Sequence, residues 1–280
     1  MRYDPQYVRE FYDRYGEREW ERLAKTAYGR LQFALQWHFV AKYLPPGGKV
    51  LDAGGGPGRF AAELARVGAK VVLLDISPVQ LRIAQEKLRE AGKEIAENVL
   101  LFEGDICELP FEDETFDLAL ALGGPLSYVL ERAGQALEEL KRVTCRGGAL
   151  ILTVMSNFWG ARWAVKLKST QWFQDPEAYD LWGLVERGLQ ADFVPPERRS
   201  CHRCKFYTSQ ELRELLTSHE LEVLEMAAIP AVSAHLEEEV EAFAADPKIW
   251  ANLVDLELRL CQKPGLLDTG EHILVVARRL

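Results

Sequence analysis

Between Lys49 and about Thr153 the chain alternates short, near-continuously apolar runs with longer amphipathic ones. The runs are KVLDA (Lys49 to Ala53), KVVLLD (Lys70 to Asp75), NVLLF (Asn98 to Phe102), FDLALAL (Phe116 to Leu122) and GALILTV (Gly148 to Val154). A strand with one wet face alternates polar and apolar residues, whereas a strand buried on both faces is apolar throughout. Candidate helices lie between them at Arg59 to Val67, Pro78 to Ala91 and Ser127 to Val143. The second puts Leu81, Ala84, Leu88 and Ala91 on one face and opens with Ser77 as N-cap and Pro78 in the first helical position. Together they predict an α/β chain with a doubly wound, mostly parallel sheet.

The flanks read differently. From Pro5 to about Tyr43 the spacing of Val8, Phe11, Tyr12 and Tyr15 predicts two helices, stopped by Pro45-Pro46-Gly47-Gly48. Ser156 to about Ala191 is rich in Trp and expected to be helical. TSQELRELL (Thr208 to Leu216) reads as a capped helix, LEVLEMAAI (Leu221 to Ile229) and HILVVARRL (His272 to Leu280) as strands. Ile249, Leu253, Leu256 and Leu260 mark an amphipathic helix within Glu237 to Cys261. With 280 residues, 48% of them hydrophobic, the chain has room for one large domain with elaborations or two small ones. Its net charge of −9 argues against broad nucleic-acid or anionic-membrane binding. No apolar run reaches the roughly 18 residues of a membrane span, and the charged N-terminus lacks a signal-peptide pattern. The 5 cysteines, without framework spacing, suggest reduced thiols and a cytoplasmic protein.

The densest chemical signal is VLDAGGGPGRF, Val50 to Phe60, where a strand runs into a glycine cluster and then a helix. Glycines admit positive φ and close ligand approach, and the helix N-terminus supplies free N–H groups. Dinucleotide enzymes carry G-x-G-x-x-G. Here Gly54, Gly56 and Gly58 give G-x-G-x-G, with Arg59 where the third dinucleotide glycine would fall. Asp52, two residues before the first glycine, would repel a pyrophosphate and suit a cationic ligand.

These residues resemble the first motif of the class I S-adenosylmethionine-dependent methyltransferases. Three further stretches follow in that family's order: LLDIS (Leu73 to Ser77), EGDI (Glu103 to Ile106) and FDLALALGGPLSY (Phe116 to Tyr128). The resemblance covers about Lys49 to Val154 and, weakly, the last two strands. It implies a Rossmann-like sheet of seven mostly parallel strands with helical additions forming a cover. Residues 1–48 would be an N-terminal helical cover and 49–154 the cofactor half. A helical insertion at 155–207 would follow, and 208–280 would be the C-terminal half of the sheet with its own helical insertion at about 231–262.

By the same resemblance the cofactor is S-adenosyl-L-methionine. Asp75 would accept from both ribose hydroxyls and Ile76 would pack on the adenine. Asp105 would accept from the adenine amino group, with Ile106 donating its N–H. Gly54 and Gly56 would lie under the methionine end, Asp52 would orient its ammonium, and Gly123 would stand near the sulfonium. An Asp at a strand end also serves as a plain turn or helix cap, and that alternative stands beside Asp75 and Asp105. Gly55, Pro57 and Arg59 are expected to shape the loop.

The acceptor is less legible. No Asn-Pro-Pro-Tyr or Asp-Pro-Pro-Tyr motif follows the fourth strand, which further weakens a nucleic-acid substrate. Tyr12, Tyr15, Trp20, Trp159, Trp163, Trp172 and Trp182 are candidates to line an apolar acceptor pocket, with Tyr12 and Tyr128 first by resemblance. Cys201 and Cys204 form a C-x-x-C, but too few further ligands exist for a closed zinc site, so no metal is expected. Of His38, His202, His219, His235 and His272, only His235 falls in a segment expected to cap the pocket, and none is assigned as catalytic. The expected activity is methyl transfer to a small, apolar or aromatic acceptor. The alternatives are a non-catalytic S-adenosylmethionine-binding regulator and, against the glycine spacing, an NAD-dependent oxidoreductase.

Overall fold

A computed structural model describes residues 2–166, 173–177, 181–190 and 203–280. The N-terminal segment forms three helices where the sequence predicts two: α1 (Pro5–Tyr15), α2 (Arg18–Ala24) and α3 (Ala27–Tyr43). Gly16, at φ 55°, ends the first, and Thr26 starts the third by accepting the Gly29 N–H. Then come β1 (Lys49–Ala53), α4 (Arg59–Arg66), β2 (Lys70–Asp75), α5 (Pro78–Ala91), α6 (Lys93–Glu97), β3 (Val99–Glu103) and β4 (Phe116–Ala121). The helix expected over Ser127 to Val143 is broken into a short α7 (Pro125–Tyr128), a 3-10 turn at Leu130–Arg132 and α8 (Ala133–Val143). Leu130, at φ 50°, marks the break.

The chain continues through β5 (Thr144–Ser156), α9 (Asn157–Lys166), α10 (Leu181–Arg187), β6 (Leu189–Gln190), β7 (Cys204–Tyr207), α11 (Ser209–Ser218) and β8 (Leu221–Ile229). It ends with α12 (Glu237–Phe243), α13 (Pro247–Leu260) and β9 (His272–Arg279). The single helix expected within Glu237 to Cys261 is two, because Asp246 caps a new helix whose first residue, Pro247, cannot continue the old one. Leu253 faces inward, but Ile249 and Leu256 are each 46% exposed, so the apolar stripe is narrower than its spacing suggests.

Strands β3, β2, β1, β4 and β5 are parallel neighbours in that order, β9 adds antiparallel to β5, and β8 adds antiparallel to β9. These are the seven strands expected. Two short ones extend the sheet: β7 pairs with Met155 and Ser156 of β5, and β6 pairs with β7. Alternate strand residues feed opposite faces. Leu51, Val72, Ala119 and Leu152 pack with Leu137 and Leu140 of α8 and Leu212 and Leu216 of α11. Val50, Leu73, Leu118 and Ile151 pack with Leu31 and Leu35 of α3, Leu64 of α4, Leu88 of α5 and Leu253 of α13. Among the described residues, no helix is long and apolar enough to cross a membrane.

One buried carboxylate fixes the segment after β8. Glu257, fully buried on α13, accepts the N–H of Ala231 (2.7 Å), Val232 (3.2 Å) and Ser233 (2.7 Å). Glu257→Ala strands three donors, each costing about 1–3 kcal/mol when buried without a partner. The melting temperature is expected to fall by roughly 10 °C, given about 2–4 °C per kcal/mol for a chain of this size. A change under about 2 °C in a thermal melt would contradict this role.

Candidate active site

The parallel strands deliver their C-terminal ends to one edge of the sheet, where open α/β folds form their ligand crevice. At the end of β1 the chain turns through Gly54 to Gly58 into α4. The Gly54 N–H donates to the Leu74 carbonyl at 2.7 Å. Gly54 has φ 74°, and a Cβ there would lie 2.7 Å from Pro125 Cγ, so a side chain is excluded both by conformation and by space. A Cβ at Gly55 would stand 2.6 Å from Asp52 Oδ2. The missing side chain at 55 therefore makes room for the carboxylate beneath the loop.

Asp52 is 1% exposed, and its Oδ2 is buried with no hydrogen-bond partner. Burial, and then the negative charge of Asp75, pushes its pKa up to about 7, while the Ala61 N–H in the first turn of α4 pulls the other way. Such a group is suited to a cationic partner and hostile to a pyrophosphate. Asp75 ends β2. Its Oδ2 accepts the Gly56 N–H and its Oδ1 the Ser77 N–H, both at 2.8 Å, so it clamps the glycine loop to the next helix. Burial raises its pKa to about 6 against those two donors. Each oxygen keeps lone-pair capacity for a further donor. The Ser77 hydroxyl caps α5 by accepting from Gln80 and donates to Asp13 at 2.6 Å.

Beyond β3, Asp105 accepts the Cys107 N–H (2.8 Å) and the Tyr3 hydroxyl (2.9 Å). Burial first, and Asp105 second, raise the Tyr3 pKa and keep the phenol protonated. After β4, Gly123, at φ 83°, donates its N–H to Thr153 Oγ1 at 2.7 Å and accepts the Tyr128 hydroxyl at 3.3 Å.

All eight residues expected at a cofactor site (Asp52, Gly54, Gly56, Asp75, Ile76, Asp105, Ile106 and Gly123) line one cavity that opens to solvent. Gly55, Pro57 and Arg59 line it as well. Tyr3, Val8, Tyr12, Glu19, Arg22 and Leu23 close it from the N-terminal side. That cover is held down by Tyr3 on Asp105, by Asp13 on Ser77, and by the Gln80 amide donating to the carbonyls of Tyr12 and Gly16 at 3.1 Å. The sequence reading missed Tyr3, which lies ahead of α1, and Glu19 and Arg22 on the short α2, since no motif marks any of the three.

A second cavity adjoins the first, sharing Tyr12, Glu19, Arg22, Gly123 and Tyr128 with it. Glu19 and Arg22 form a two-pronged ion pair at that junction, with contacts of 2.6 and 3.0 Å. Of the aromatic candidates, Tyr12, Tyr15, Tyr128 and Trp159 line it. Trp20 lies against Lys87 and Trp182 is 48% exposed, and neither lines these two cavities. His235 and His272 line the second cavity, whereas His219 hydrogen-bonds the Leu215 carbonyl elsewhere. The side chain of Trp163, and Trp172, Cys201 and His202 altogether, lie outside the described residues. Cys204 is buried on β7, and among the described residues no three His, Cys, Asp or Glu converge as metal ligands.

The features fit a sulfonium nucleoside carrying an ammonium group: an unpartnered buried carboxylate under a glycine loop, an acidic strand end, and no room for a side chain at Gly54 or Gly55. Comparison with known proteins agrees. A family profile described as a methyltransferase domain matches residues 50–148. The chain is 40% identical over 114 residues to a ubiquinone/menaquinone biosynthesis C-methyltransferase from Idiomarina loihiensis, covering 39% of this chain and 43% of that one. It thus spans under half the length of that relative. A demethylmenaquinone methyltransferase from Thermobifida fusca is 30% identical over 187 residues, covering 63% of this chain and 77% of the relative. An S-adenosylmethionine-dependent methyltransferase structure from Methanosarcina mazei superposes with a TM-score of 0.58 at 20% identity, covering 86% of this chain and 97% of that one. The chain belongs to the class I S-adenosylmethionine-dependent methyltransferases, whose cofactor is S-adenosyl-L-methionine.

Proposed function

We propose that this chain transfers a methyl group from S-adenosyl-L-methionine to a small, aromatic or apolar molecule. The observation that carries the reading is the pair of adjoining cavities, one floored by glycines and aspartates, the other walled by aromatics, meeting at Gly123, Tyr12 and Tyr128. The cofactor supplies an activated methyl on a sulfonium, so the protein's work is mainly to position the partners. Asp75 would hold the ribose hydroxyls with Ile76 against the adenine. Asp105 and the Ile106 N–H would read the adenine edge. Gly54 and Gly56 would pass under the amino-acid end, and Asp52 would face its ammonium through the loop. Gly123 would lie beside the sulfonium.

Residues 1–48, 155–207 and about 231–262 act in this reading as a cover around the 49–154 cofactor half, excluding water and seating the acceptor. Alignment of nucleophile and methyl at about 3–3.5 Å can account for roughly 7–11 kcal/mol of barrier lowering. The acidic net charge of −9 supports a small-molecule partner over nucleic acid or a membrane surface. Cys107, Cys145 and Cys261 are free thiols, which suits a reducing compartment such as the cytoplasm.

S-adenosylhomocysteine at about 100 times its Kd should stabilise the fold by about 2.7 kcal/mol. At about 2–4 °C per kcal/mol, the melting temperature is expected to rise by roughly 5–10 °C, and NAD should leave it unchanged. An equal rise with NAD, or none with S-adenosylhomocysteine, would overturn the cofactor assignment. Transfer of labelled methyl to a small acceptor then separates an enzyme from a silent binder.

A further inference from the structure

The charges around the second cavity are largely spoken for. Glu19 pairs with Arg22, Lys166 with Glu237, and the Glu271 carboxylate accepts the Gln32 amide at 2.7 Å. What remains unpartnered in its wall is uncharged. The Tyr28 hydroxyl, His235 Nε2 and His272 Nδ1 are all buried without a hydrogen-bond partner among the described residues. His272 is 5% exposed at the start of β9, and burial, then the nearby Arg22, hold its pKa at about 3. The His235 ring stacks on Trp159 with centroids 5.6 Å apart and planes within 3°, which fixes its plane at the cavity wall. Its backbone sits at φ 67°, an uncommon conformation for a residue with a side chain.

Two neutral imidazole nitrogens among aromatic walls recognise an uncharged, flat molecule with a hydroxyl, and not a carboxylate, a phosphate or an ammonium. An imidazole that is neutral at physiological pH also has a lone pair for a proton. We propose that the second cavity takes an uncharged phenol as methyl acceptor and that His235 Nε2 receives the phenolic proton. This rests on the methyltransferase reading above and adds the acceptor class and the residue that serves it. In the step, the O–H bond breaks and its proton passes to Nε2. The oxygen's electron pair forms the bond to the methyl carbon, and the pair of the breaking C–S bond stays on the donor's sulfur.

The groups bearing on His235 come from three sides: Arg162 and Lys166 of α9, Glu237 of α12, and Glu271 before β9. Burial, Lys166 and Arg162 favour the neutral ring, Glu237 and Glu271 the charged one, and the balance lies below the ordinary histidine value. The ring is therefore a free base at neutral pH and becomes blocked as the pH falls through its pKa.

The test uses the whole chain and two readouts. In calorimetry with S-adenosylhomocysteine present, 4-methylphenol should bind at least about tenfold more tightly than benzoate or benzylammonium, a difference of about 1.4 kcal/mol. In methyl transfer at mildly alkaline pH, His235→Gln should lower kcat on 4-methylphenol by about 100-fold, within the range of a lost general base. On 4-nitrophenol, which is already ionised, the loss should be under about fivefold, because no proton has to be received. The variant should also lose the acid limb of the pH profile.

Equal losses on the two phenols would make His235 structural and overturn the proposal. So would benzoate or benzylammonium binding as tightly as 4-methylphenol, methyl label on ring carbon, or no transfer to either phenol while S-adenosylhomocysteine still binds. Failure of S-adenosylhomocysteine itself to bind would strike the cofactor reading instead, so the two failures are distinguishable.

Discussion

Asp75→Asn is expected to weaken S-adenosylhomocysteine binding by about 100-fold or more. Hydrogen bonds to a charged acceptor contribute about 1.5–3 kcal/mol each, and the ribose would offer two donors to this one carboxylate. At about 1.4 kcal/mol per decade, losing the charge removes at least two decades of affinity. The asparagine is nearly isosteric and keeps one acceptor oxygen for the Gly56 or Ser77 N–H that Asp75 now holds at 2.8 Å. The fold should therefore survive, and calorimetry at neutral pH isolates the binding loss. Because burial already lifts this carboxyl to about 6, wild-type affinity should fall as the pH drops through that value and the anion is protonated. The variant, with nothing to titrate there, should show a flatter profile. Unchanged affinity in Asp75→Asn would reduce Asp75 to the loop clamp that its two backbone contacts describe.

That double life of Asp75 marks the limit of what the sequence could tell. The strands were legible because burial on both faces leaves a one-dimensional trace: the apolar runs KVLDA and KVVLLD coincide with β1 and β2 to the residue. The cofactor residues were legible because a glycine loop and acidic strand ends recur at fixed places along that trace. Their contacts within the protein were not. Gly56 donates to Asp75 across 19 positions and Tyr3 reaches Asp105 across 102, and no local periodicity records such pairings.

The helices broke where a single backbone geometry outweighed amphipathic spacing, at Gly16, Leu130 and Pro247. The second cavity was the least legible part. Its walls come from α1, α2, α3, the turn after β4, α7, the end of β5, α9, the segment from β8 into α12 and the start of β9, so its chemistry is a product of tertiary assembly. Only Glu257 left a clue that went unread, a carboxylate one helical turn from Leu253 on the inner side of α13.

Asp52→Asn should produce opposite effects on stability and on binding. A carboxyl 1% exposed, with an unpartnered oxygen and a pKa near 7, is protonated more readily in the folded chain than in the unfolded one, where an aspartate titrates near 4. Between about pH 4 and pH 7 the native state holds the extra proton, so stability from this group declines as the pH rises, and the cost is complete above pH 7. At about 1.36 kcal/mol per unit, the ionised carboxylate costs the ligand-free fold on the order of 4 kcal/mol.

An asparagine carries no charge to desolvate. Above pH 7 the ligand-free variant should melt several degrees higher than the wild type, and near pH 4 the two should converge. The cofactor's ammonium would be the partner that makes the buried anion worth keeping. The same variant should therefore bind S-adenosylhomocysteine at least about tenfold more weakly, with the loss reduced for a nucleoside lacking the amino-acid end. A variant that is destabilised at alkaline pH, or that binds as well as the wild type, would show that Asp52 serves the loop and not the ligand.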